Sequence, residues 1–246
     1  MTVAALIQAR MTSTRLPGKV LLPAAGREML AHQIDRVRRA RRVDRICVAT
    51  TANATDDRIV ALAEREGVAV FRGAEDDVLD RFARAAETVA PRLVVRLTGD
   101  CPLIDPVLID DAVAVLQASA ELDYVSNGIE LSWPAGLDVE VMTIAALRLA
   151  AAEAVDGFDR EHVTPFIYRH PERFRVRNIR CPEALSAHRW TLDEPADYEL
   201  IRRILEALAP VDPAFGWRDV LALLAAHPDW AAINRDVRQK PNPHAL

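Results

Sequence analysis

The feature of this sequence that most constrains its fold is a regular alternation of short apolar runs with amphipathic segments. Apolar runs typical of buried strands occur at 3–8, 45–50, 68–71 and 93–97. Segments typical of helices follow them at 29–42, 56–65, 77–89 and 105–118. Connections of this length allow right-handed crossovers between parallel strands. The pattern therefore predicts an α/β fold in which a mostly parallel, Rossmann-like sheet is doubly wound, with helices on both faces.

The second half of the chain does not continue this alternation. Segments with the pattern of strands occur at 137–141, 173–180 and 188–192. Helices are predicted from Pro195 to about Ala207 and over 216–226, since proline suits the first turn of a helix. These patterns predict a small antiparallel annex and a helical C-terminus. We expect a single domain over 1–246, with its core at about 1–208 and a helical extension at 209–246.

Composition excludes several classes of protein. A chain of 246 residues with 50% apolar and 27% charged residues can bury a core, which excludes a disordered chain, a collagen and a disulfide-stapled miniprotein. The formal net charge of −5 disfavours nucleic acid as a partner. The first residues lack a basic n-region and are expected to form a strand rather than a signal peptide, and no apolar run approaches the roughly 20 residues of a membrane span. A reducing, cytoplasmic location is expected from three well-separated cysteines, which are Cys47, Cys101 and Cys181.

The loop after the first predicted strand concentrates positive charge. Residues 8–19 include Arg10, Arg15 and Lys19 together with hydroxyl groups and a glycine. Ligands of open α/β sheets bind beyond the carboxyl ends of the strands, and cations with backbone amides hold polyphosphates. Lys19 stands out because 29 of the 31 basic residues are arginines and the other lysine is Lys240. The arginine excess itself is explained by GC-rich codon usage, and a solvated basic loop is the alternative, since neither G-x-x-x-x-G-K-[ST] nor G-x-G-x-x-G is present.

Acidic residues at the predicted strand ends are candidate ligands. Asp100 follows a predicted strand, and Asp193 precedes the helix that starts at Pro195. A carboxylate in either place is able to hold Mg²⁺, or simply to cap a turn or a helix. Asp138 and Glu140 are predicted on the same side of one strand, where they would contact a sugar or a second metal, or form a solvent-facing edge.

Glu161 and His162 are predicted at the start of a helix. A glutamate in a first turn interacts favourably with the helix dipole without any further role. The surrounding string R-E-H-V-T-P, at 160–165, is what makes these two residues candidates for a site.

Five sequence strings share an order and a spacing with one enzyme family. They are A-R-x-x-S-x-R-L-P-G-K at 9–19, R-G at 72–73, D-D-V-L-D-R at 76–81, R-L-T-G-D-C-P-L at 96–103 and R-E-H-V-T-P at 160–165. In these strings the chain resembles the cytidylyltransferases that activate acidic sugars, which include CMP-KDO synthetase and the acylneuraminate cytidylyltransferases. It resembles most the branch named for spore-coat polysaccharide biosynthesis, the SpsF-like branch. The similarity runs from Ile7 to roughly Tyr198.

The resemblance implies a nucleotide-diphospho-sugar transferase fold, CTP and a small sugar as substrates, and a homodimer. It implies that Asp100 and Asp193 together ligate a catalytic Mg²⁺. Nucleotide binding is implied for Ala9, Arg10, Ser13, Arg15, Lys19, Arg72, Asp80, Arg81, Thr98 and Gly99. Catalytic roles are implied for Arg10, Arg15, Lys19 and Asp100, and sugar binding is expected at Asp138, Glu140, Glu161 and His162.

The predicted reaction is attack of a sugar hydroxyl on CTP, which gives a CMP-sugar and pyrophosphate. The sugar is expected to be acidic or amino, and the product to serve surface polysaccharide or glycoconjugate biosynthesis. One alternative is a metal-dependent GT-A glycosyltransferase with a nucleotide-sugar donor. Such enzymes normally carry Asp-x-Asp, and the nearest string here is Asp138-x-Glu140. A second alternative is a catalytically silent nucleotide-binding subunit.

Overall fold

The computed structural model describes residues 1–238. Its strands, in chain order, are β1 (Val3–Gln8), β2 (Pro23–Ala24), β3 (Arg27–Glu28), β4 (Arg45–Thr51), β5 (Ala69–Gly73), β6 (Leu93–Thr98), β7 (Tyr124–Ser126), β8 (Glu140–Thr143) and β9 (Val176–Asn178). Its helices are α1 (Met29–Arg38), α2 (Asp57–Arg65), α3 (Val78–Val89), α4 (Pro106–Gln117), α5 (Ile144–Glu153), α6 (Gly157–His162), α7 (Pro165–Tyr168), α8 (Pro195–Leu208), α9 (Trp217–Ala226) and α10 (Pro228–Ala231). Short 3₁₀ turns lie at Lys19–Leu21 and Ala54–Asp56.

Seven strands form one sheet in the order β5-β4-β1-β6-β8-β7-β9, and β2 and β3 form a separate antiparallel hairpin. β1 pairs in parallel with β4 and β6, and β5 and β9 are also parallel to their partners. Within this sheet β8 runs antiparallel to both of its neighbours. The predicted α/β class, with a mostly parallel sheet and a small antiparallel part, is therefore confirmed.

The two faces of the sheet bury different helices, because the side chains of a strand alternate between its faces. Val3, Ala5 and Ile7 of β1 belong to a buried cluster with residues of α1, α2, α4, α8 and α9, which we name the α8 face. Ala4 and Leu6 belong to a second cluster with residues of α3, α5 and α7, which we name the α3 face. The core is therefore two apolar layers, and the polar ends of β1 and β6 project beyond them.

Several predictions for the second half are corrected by the structure. The strand predicted at 137–141 begins only at Glu140, so Asp138 precedes β8 instead of sharing its strand. Because β8 lies between β6 and β7, Glu140 is inside the sheet and 5% exposed, and it does not form a solvent-facing edge. The strand predicted at 188–192 is reduced to one bridge between Ala135 and Arg189. Pairing stops there because the partner segment turns away at Gly136, where φ is +102°.

Glu161 and His162 are not at the start of a helix, as predicted, but at the end of α6. The helix begins earlier because the Asp156 side chain accepts a hydrogen bond from the backbone N–H of Phe158, at 2.7 Å. Two predicted elements are shorter in the structure. The helix predicted at 29–42 ends at Arg38, and the strand predicted at 173–180 covers only Val176–Asn178. Elements that the sequence analysis did not predict are β2, β3, β7, α5, α7 and α10.

The C-terminal helices continue the fold from α8, since α9 packs against α8 and α10 against α9. α8, with 14 residues, is the longest helix within 1–238, and none in this range is long and apolar enough to cross a membrane. The three cysteines are buried and free. Lys240 and the rest of the predicted extension beyond residue 238 lie outside the described residues, and the single domain over 1–246 stays a prediction.

Candidate active site

A cleft of about 1480 Å³ opens where β1 and β6 end. This is the position at which open parallel sheets bind ligands, because several loops meet there. Most of the residues predicted for the site line this cleft, namely Ala9, Arg10, Ser13, Arg15, Lys19, Arg81, Thr98, Gly99, Asp100, Asp138, Glu140, Glu161, His162 and Asp193.

The loop between β1 and the 3₁₀ turn at Lys19–Leu21 is held by backbone contacts at both ends. Gly18 N–H donates to the Met11 carbonyl at 3.0 Å, which closes the loop on itself. Met11 N–H in turn donates to Asp56 Oδ1 at 2.9 Å, and Asp56 is fully buried at the end of the 3₁₀ turn that precedes α2. The loop therefore presents Lys19 to the cleft from a fixed backbone.

Lys19 connects the two acidic residues that sequence spacing alone could not pair. Its ammonium lies 2.9 Å from Asp100 Oδ2 and 2.8 Å from Asp193 Oδ1, and its side chain is 12% exposed. Burial alone would lower the pKa of Lys19, but the charges of the two carboxylates outweigh it and raise the pKa above its ordinary value. Burial likewise opposes ionisation of Asp100, yet the Lys19 charge brings the pKa of Asp100 down to about 2. Lys19 and Asp100 are therefore both charged near neutral pH.

Two arginines also bind Asp193. Arg15 Nη2 lies 2.9 Å from Asp193 Oδ1, and Arg189 Nη2 lies 3.0 Å from Asp193 Oδ2. Arg189 is itself fixed by Asp197, which is fully buried and accepts from Arg189 Nε at 2.9 Å. Nothing in the sequence identified Arg189, because its role depends on contacts with the start of α8.

Asn234 supports the same group from the C-terminal side. Its Nδ2 donates to the Arg189 carbonyl at 2.9 Å and to Asp197 Oδ1 at 2.8 Å, and the residue is buried. The sequence analysis also missed Asn234, since it lies in none of the recognisable strings.

The donor set of Asp100 and Asp193 fits a divalent cation. Both carboxylates reach one ammonium, so their oxygens already converge on a shared positive charge. Mg²⁺ is commonly held by one or two carboxylates, with water and substrate phosphates as its other ligands. Within residues 1–238 there is no group of three or more His, Cys, Asp and Glu that would hold a metal unaided. The pair therefore suits a metal whose coordination a phosphate completes.

Gly99 allows the end of β6 to approach the end of β1 closely. Its N–H donates to the Gln8 carbonyl at 2.8 Å, and a Cβ at this position would lie 2.7 Å from that same oxygen. A side chain therefore does not fit between the two strand ends. This close approach places Asp100 directly beside the start of the cation-rich loop.

A buried polar network lies on the α3 face of the cleft. Arg96 pairs with Glu140, and its Nη2 donates to Gln8 Oε1 at 3.1 Å. The hydroxyls of Tyr124 and Thr164 both donate to Glu140 Oε1, at 2.5 Å each. Burial, with the Glu140 charge beside it, raises the pKa of Tyr124 well above its ordinary range, so Tyr124 remains a donor.

Asp138 borders this network but has a different environment. Its Oδ2 accepts from the Gly136 N–H at 2.9 Å. Burial raises the pKa of Asp138 to about 6, and the nearby charges of Glu140 and Asp100 act in the same direction. At neutral pH the carboxylate is ionised without an opposing charge bound to it, and it faces the cleft.

Further parts of the cleft wall come from α3, α6 and the loop after β5. Glu161 and His162 border it at the end of α6, where the His162 ring lies 4.3 Å from the Phe158 ring. Arg10 Nη1 lies 3.6 Å from Glu75 Oε1, and that carboxylate also accepts from Thr12 Oγ1 at 2.5 Å. Glu75 is a further residue that the sequence analysis missed.

Arg72 and Asp80, for which nucleotide binding is predicted, are not among the residues that line the cleft. Arg72 Nη1 lies 2.7 Å from Asp57 Oδ1, and its other two donor nitrogens bind the carbonyls of Thr51 and Asn53. Its guanidinium is therefore occupied in joining β5 to the loop after β4. Asp80 is on the exposed side of α3, 3.7 Å from Arg84.

A doubly wound sheet with cations and convergent carboxylates beyond its strand ends is typical of enzymes that bind phosphorylated nucleotides. Comparison with known proteins agrees with this class. The family model described as cytidylyltransferase matches residues 4–210. The spore coat polysaccharide biosynthesis protein SpsF of Bacillus subtilis is 36% identical over 94% of this chain and 97% of its own length. A cytidylyltransferase structure from Leptospira borgpetersenii is 30% identical, with a TM-score of 0.90 over 98% of this chain and 100% of that one.

A more partial similarity is found to the 3-deoxy-manno-octulosonate cytidylyltransferase of an Anaeromyxobacter species, which is 40% identical over 52% of each chain. The chain belongs to the cytidylyltransferase family, in its SpsF-like branch, as the five sequence strings predict. Its reaction class is CTP-dependent nucleotidyl transfer to a sugar-type substrate.

Proposed function

We propose that this enzyme transfers CMP from CTP to a hydroxyl of an acidic or amino sugar, with release of pyrophosphate, for polysaccharide or glycoconjugate synthesis. The observation that carries the proposal is the Lys19 ammonium between Asp100 and Asp193 at the strand ends. It places a cation and two metal-type ligands at one point, as transfer from a triphosphate requires. The similarity to SpsF supports the biosynthetic setting, and the 3-deoxy-manno-octulosonate enzymes support an acidic sugar.

In this proposal the cations of the loop bind the triphosphate. Arg10, Arg15 and Lys19 neutralise the negative charge that develops on the leaving pyrophosphate. An ammonium has three donors, so Lys19 is able to keep a carboxylate contact while it donates to a phosphate oxygen. Backbone amides and hydroxyls of the loop, including Ser13, supply further donors. Nucleotide contacts are also proposed for Ala9, Arg81, Thr98 and Gly99, which line the cleft.

Asp100 and Asp193 would hold Mg²⁺. When bound, that ion supplies positive charge to the phosphates of the substrate. Arg189 and Asp197 orient Asp193, because they fix its second carboxylate oxygen and its backbone N–H respectively. The two ligands are therefore positioned before a substrate enters.

The sugar is proposed to bind on the α3 face of the cleft. Asp138, Glu161 and His162 border that half, with Glu140 beneath them. Asp138 accepts a hydrogen bond from a sugar hydroxyl, since its carboxylate is ionised at neutral pH and has a backbone N–H as its partner. Glu140 acts through Arg96 and does not itself contact the sugar, because its oxygens are already engaged.

The same engagement of Glu140 disfavours the glycosyltransferase alternative. An Asp-x-Asp type of site needs both carboxylates for a metal, whereas Glu140 is bound by Arg96, Tyr124 and Thr164. The charged cluster at Lys19 disfavours a silent binding subunit, since it provides groups suited to the chemical step.

A pyrophosphate-release screen tests the proposed function. The four nucleoside triphosphates are tried with Mg²⁺ against a panel of 2-keto-3-deoxy and amino sugars. Release with CTP and one sugar class is expected. Sugar transfer from a nucleotide-sugar without pyrophosphate release would favour the glycosyltransferase, and tight CTP binding without turnover on any sugar would favour the silent subunit.

We also propose that the enzyme is a cytoplasmic homodimer of single-domain chains, without nucleic-acid or membrane partners. Three buried, free cysteines fit a reducing compartment, and the net charge of −5 disfavours nucleic acid. Sedimentation velocity at micromolar concentration checks the oligomeric state, and a monomer would contradict it.

A further inference from the structure

Gln8 is the last residue of β1, and it lines the cleft without belonging to any of the strings that indicate a function. Its side chain follows Ala4 and Leu6 on the α3 face, because residues of a strand alternate. The parallel register pairs it with Thr98, two residues before Asp100. It therefore lies beside the candidate catalytic groups, at the entrance to the half of the cleft bordered by α6.

The orientation of the Gln8 carboxamide follows from the hydrogen-bond donor that it faces. Arg96 Nη2 lies 3.1 Å from the side-chain oxygen, and a guanidinium has only donors. The oxygen must therefore face Arg96, and the NH₂ group must point away from it. Within residues 1–238 that NH₂ group has no hydrogen-bond partner, so two N–H donors are presented to the cleft.

Arg96 also lines the cleft, but little of it is exposed. Its side chain is 7% exposed and pairs with Glu140, whose side chain is 6% exposed. Tyr124 and Thr164 hold Glu140 in turn. The charge of Arg96 is thus compensated inside the protein. Arg96 and Glu140 are buried whereas Gln8 is half-buried, so the neutral carboxamide of Gln8 is the most accessible group of this network at the cleft.

We infer that Gln8 determines specificity for the sugar, by donating from its side-chain NH₂ to an oxygen of the sugar, with Arg96 and Glu140 as positioning residues behind it. This inference rests on the proposed function. The loop cations Arg15 and Lys19 bind Asp193, which leads into α8 on the opposite face of the sheet. A neutral donor suits a hydroxyl, carbonyl or carboxylate oxygen, and its two N–H groups are able to bridge neighbouring oxygens.

Two substitutions separate a donor role from a structural one. Gln8→Ala removes both the NH₂ group and the contact with Arg96. Gln8→Glu keeps the size and gives Arg96 a stronger acceptor, but it has no donor when ionised. The control is Gln117→Glu in α4, because Gln117 also accepts from an arginine, Arg42, at 2.8 Å, and it lies outside the cleft.

The measurement is the KM for CTP and the KM for the sugar that the wild-type enzyme uses in the pyrophosphate-release screen. Both Gln8 variants are expected to raise the sugar KM about tenfold, the effect of one net hydrogen bond, with the CTP KM changed by less than about threefold. Gln117→Glu is expected to change neither value, and thermal unfolding confirms that all variants fold.

Three outcomes would contradict the inference, and each has a different meaning. A normal sugar KM in Gln8→Glu with a raised one in Gln8→Ala would mean that Gln8 only supports Arg96, and would overturn the inference. A change confined to the CTP KM would also overturn it, by assigning Gln8 to the nucleotide. A wild-type enzyme that releases no pyrophosphate with any pair of substrates would reject the proposed function, and the role of Gln8 with it.

Discussion

Lys19 supplies the positive charge that both Asp100 and Asp193 contact in the cleft. Without it, Asp100 and Asp193 would face each other as like charges in a partly buried place, and Asp193 would keep two arginines while Asp100 kept none. The ammonium therefore both preserves the geometry of the carboxylates and offers a charge to the substrate. This dual use separates it from the arginines of the same loop.

Replacement of Lys19 tests this assignment. Lys19→Ala is expected to lower the rate of pyrophosphate release by roughly 10²–10³-fold, as loss of a charged transition-state contact does. The control is Arg58→Ala, an exposed cation on α2 away from the cleft, which is expected to keep wild-type activity. Full activity of Lys19→Ala with CTP and the right sugar would reject the phosphate-binding role.

Asp138 gives a pH-dependent prediction. Its pKa in the folded protein is about 6, above the 3.8 of an ordinary aspartate, so the folded chain binds more protons than the unfolded chain between these values. Stability from this group is therefore present below pH 3.8 and lost as the pH rises through 6. Asp138→Asn removes the loss, and it is expected to raise the melting temperature at pH 7.5 more than at pH 4.

The same melting curves are recorded for Asp111→Asn, an exposed aspartate on α4. This control is expected to show the same small change at both pH values. An equal effect of Asp138→Asn at the two pH values would contradict the raised pKa.

Among the strands, periodicity predicted those that are buried on both sides, and also the edge strands β5 and β9. β1, β4 and β6 are apolar runs between two layers of helices, so their sequence pattern alone is sufficient. β7 has three residues and β2 two, which is too short to show a period. β8 was misplaced because Asp138 and Glu140 look like an exposed face, whereas Glu140 is buried by partners from distant segments.

The residues of the site divide in the same way, into those that carry a local sequence pattern and those that do not. Residues in local strings, such as Lys19 and Asp100, were found from the sequence. Arg189 and Asn234 were not, since each acts through a residue of another element and carries no local pattern. Spacing also failed to connect Asp100 with Asp193; the family resemblance pairs them, and the structure joins them through their common contact with Lys19.

The contact between the ends of β1 and β6 yields a prediction at this scale. Gly99→Ala places a Cβ 2.7 Å from the Gln8 carbonyl oxygen, so the strand ends must separate. We expect a loss of about 1–3 kcal/mol in the free energy of unfolding, typical of an overpacked site, together with reduced activity. Urea denaturation and pyrophosphate release measure the two effects.

Gly157→Ala is the matched control for stability, because a Cβ at Gly157 has no atom within 4 Å. It is expected to be neutral or slightly stabilising, since alanine restricts the unfolded chain. Equal stability of the two variants would show that the strand ends tolerate separation.

On the scale of the whole molecule, the two ends of the described chain meet at the cleft. The loop after β1 supplies Lys19, and the turn after α10 supplies Asn234, which fixes Arg189 and Asp197 behind Asp193. α9 and α10 therefore do more than extend the fold, because they bring Asn234 to this position.

Asn234→Ala tests this connection. Loss of two hydrogen bonds leaves Arg189 and Asp197 less constrained, and we expect about a tenfold lower kcat with a reduced melting temperature. Asp236→Ala, an exposed residue in the same turn, is the control and is expected to be silent. Unchanged kcat in Asn234→Ala would show that Asp193 needs no support from the C-terminal turn.

The separation of 174 positions between Lys19 and Asp193 has a consequence for a chain that is still being synthesised. The ribosome releases the cation-rich loop early, but the second carboxylate and its supports emerge only near the end of translation. Because the chain leaves the ribosome from its N-terminus onward, an incomplete chain contains Lys19 and Asp100 without Asp193. Prematurely terminated fragments should therefore neither consume the nucleotide pool nor sequester divalent ions, and the onset of activity should coincide with completion of the chain.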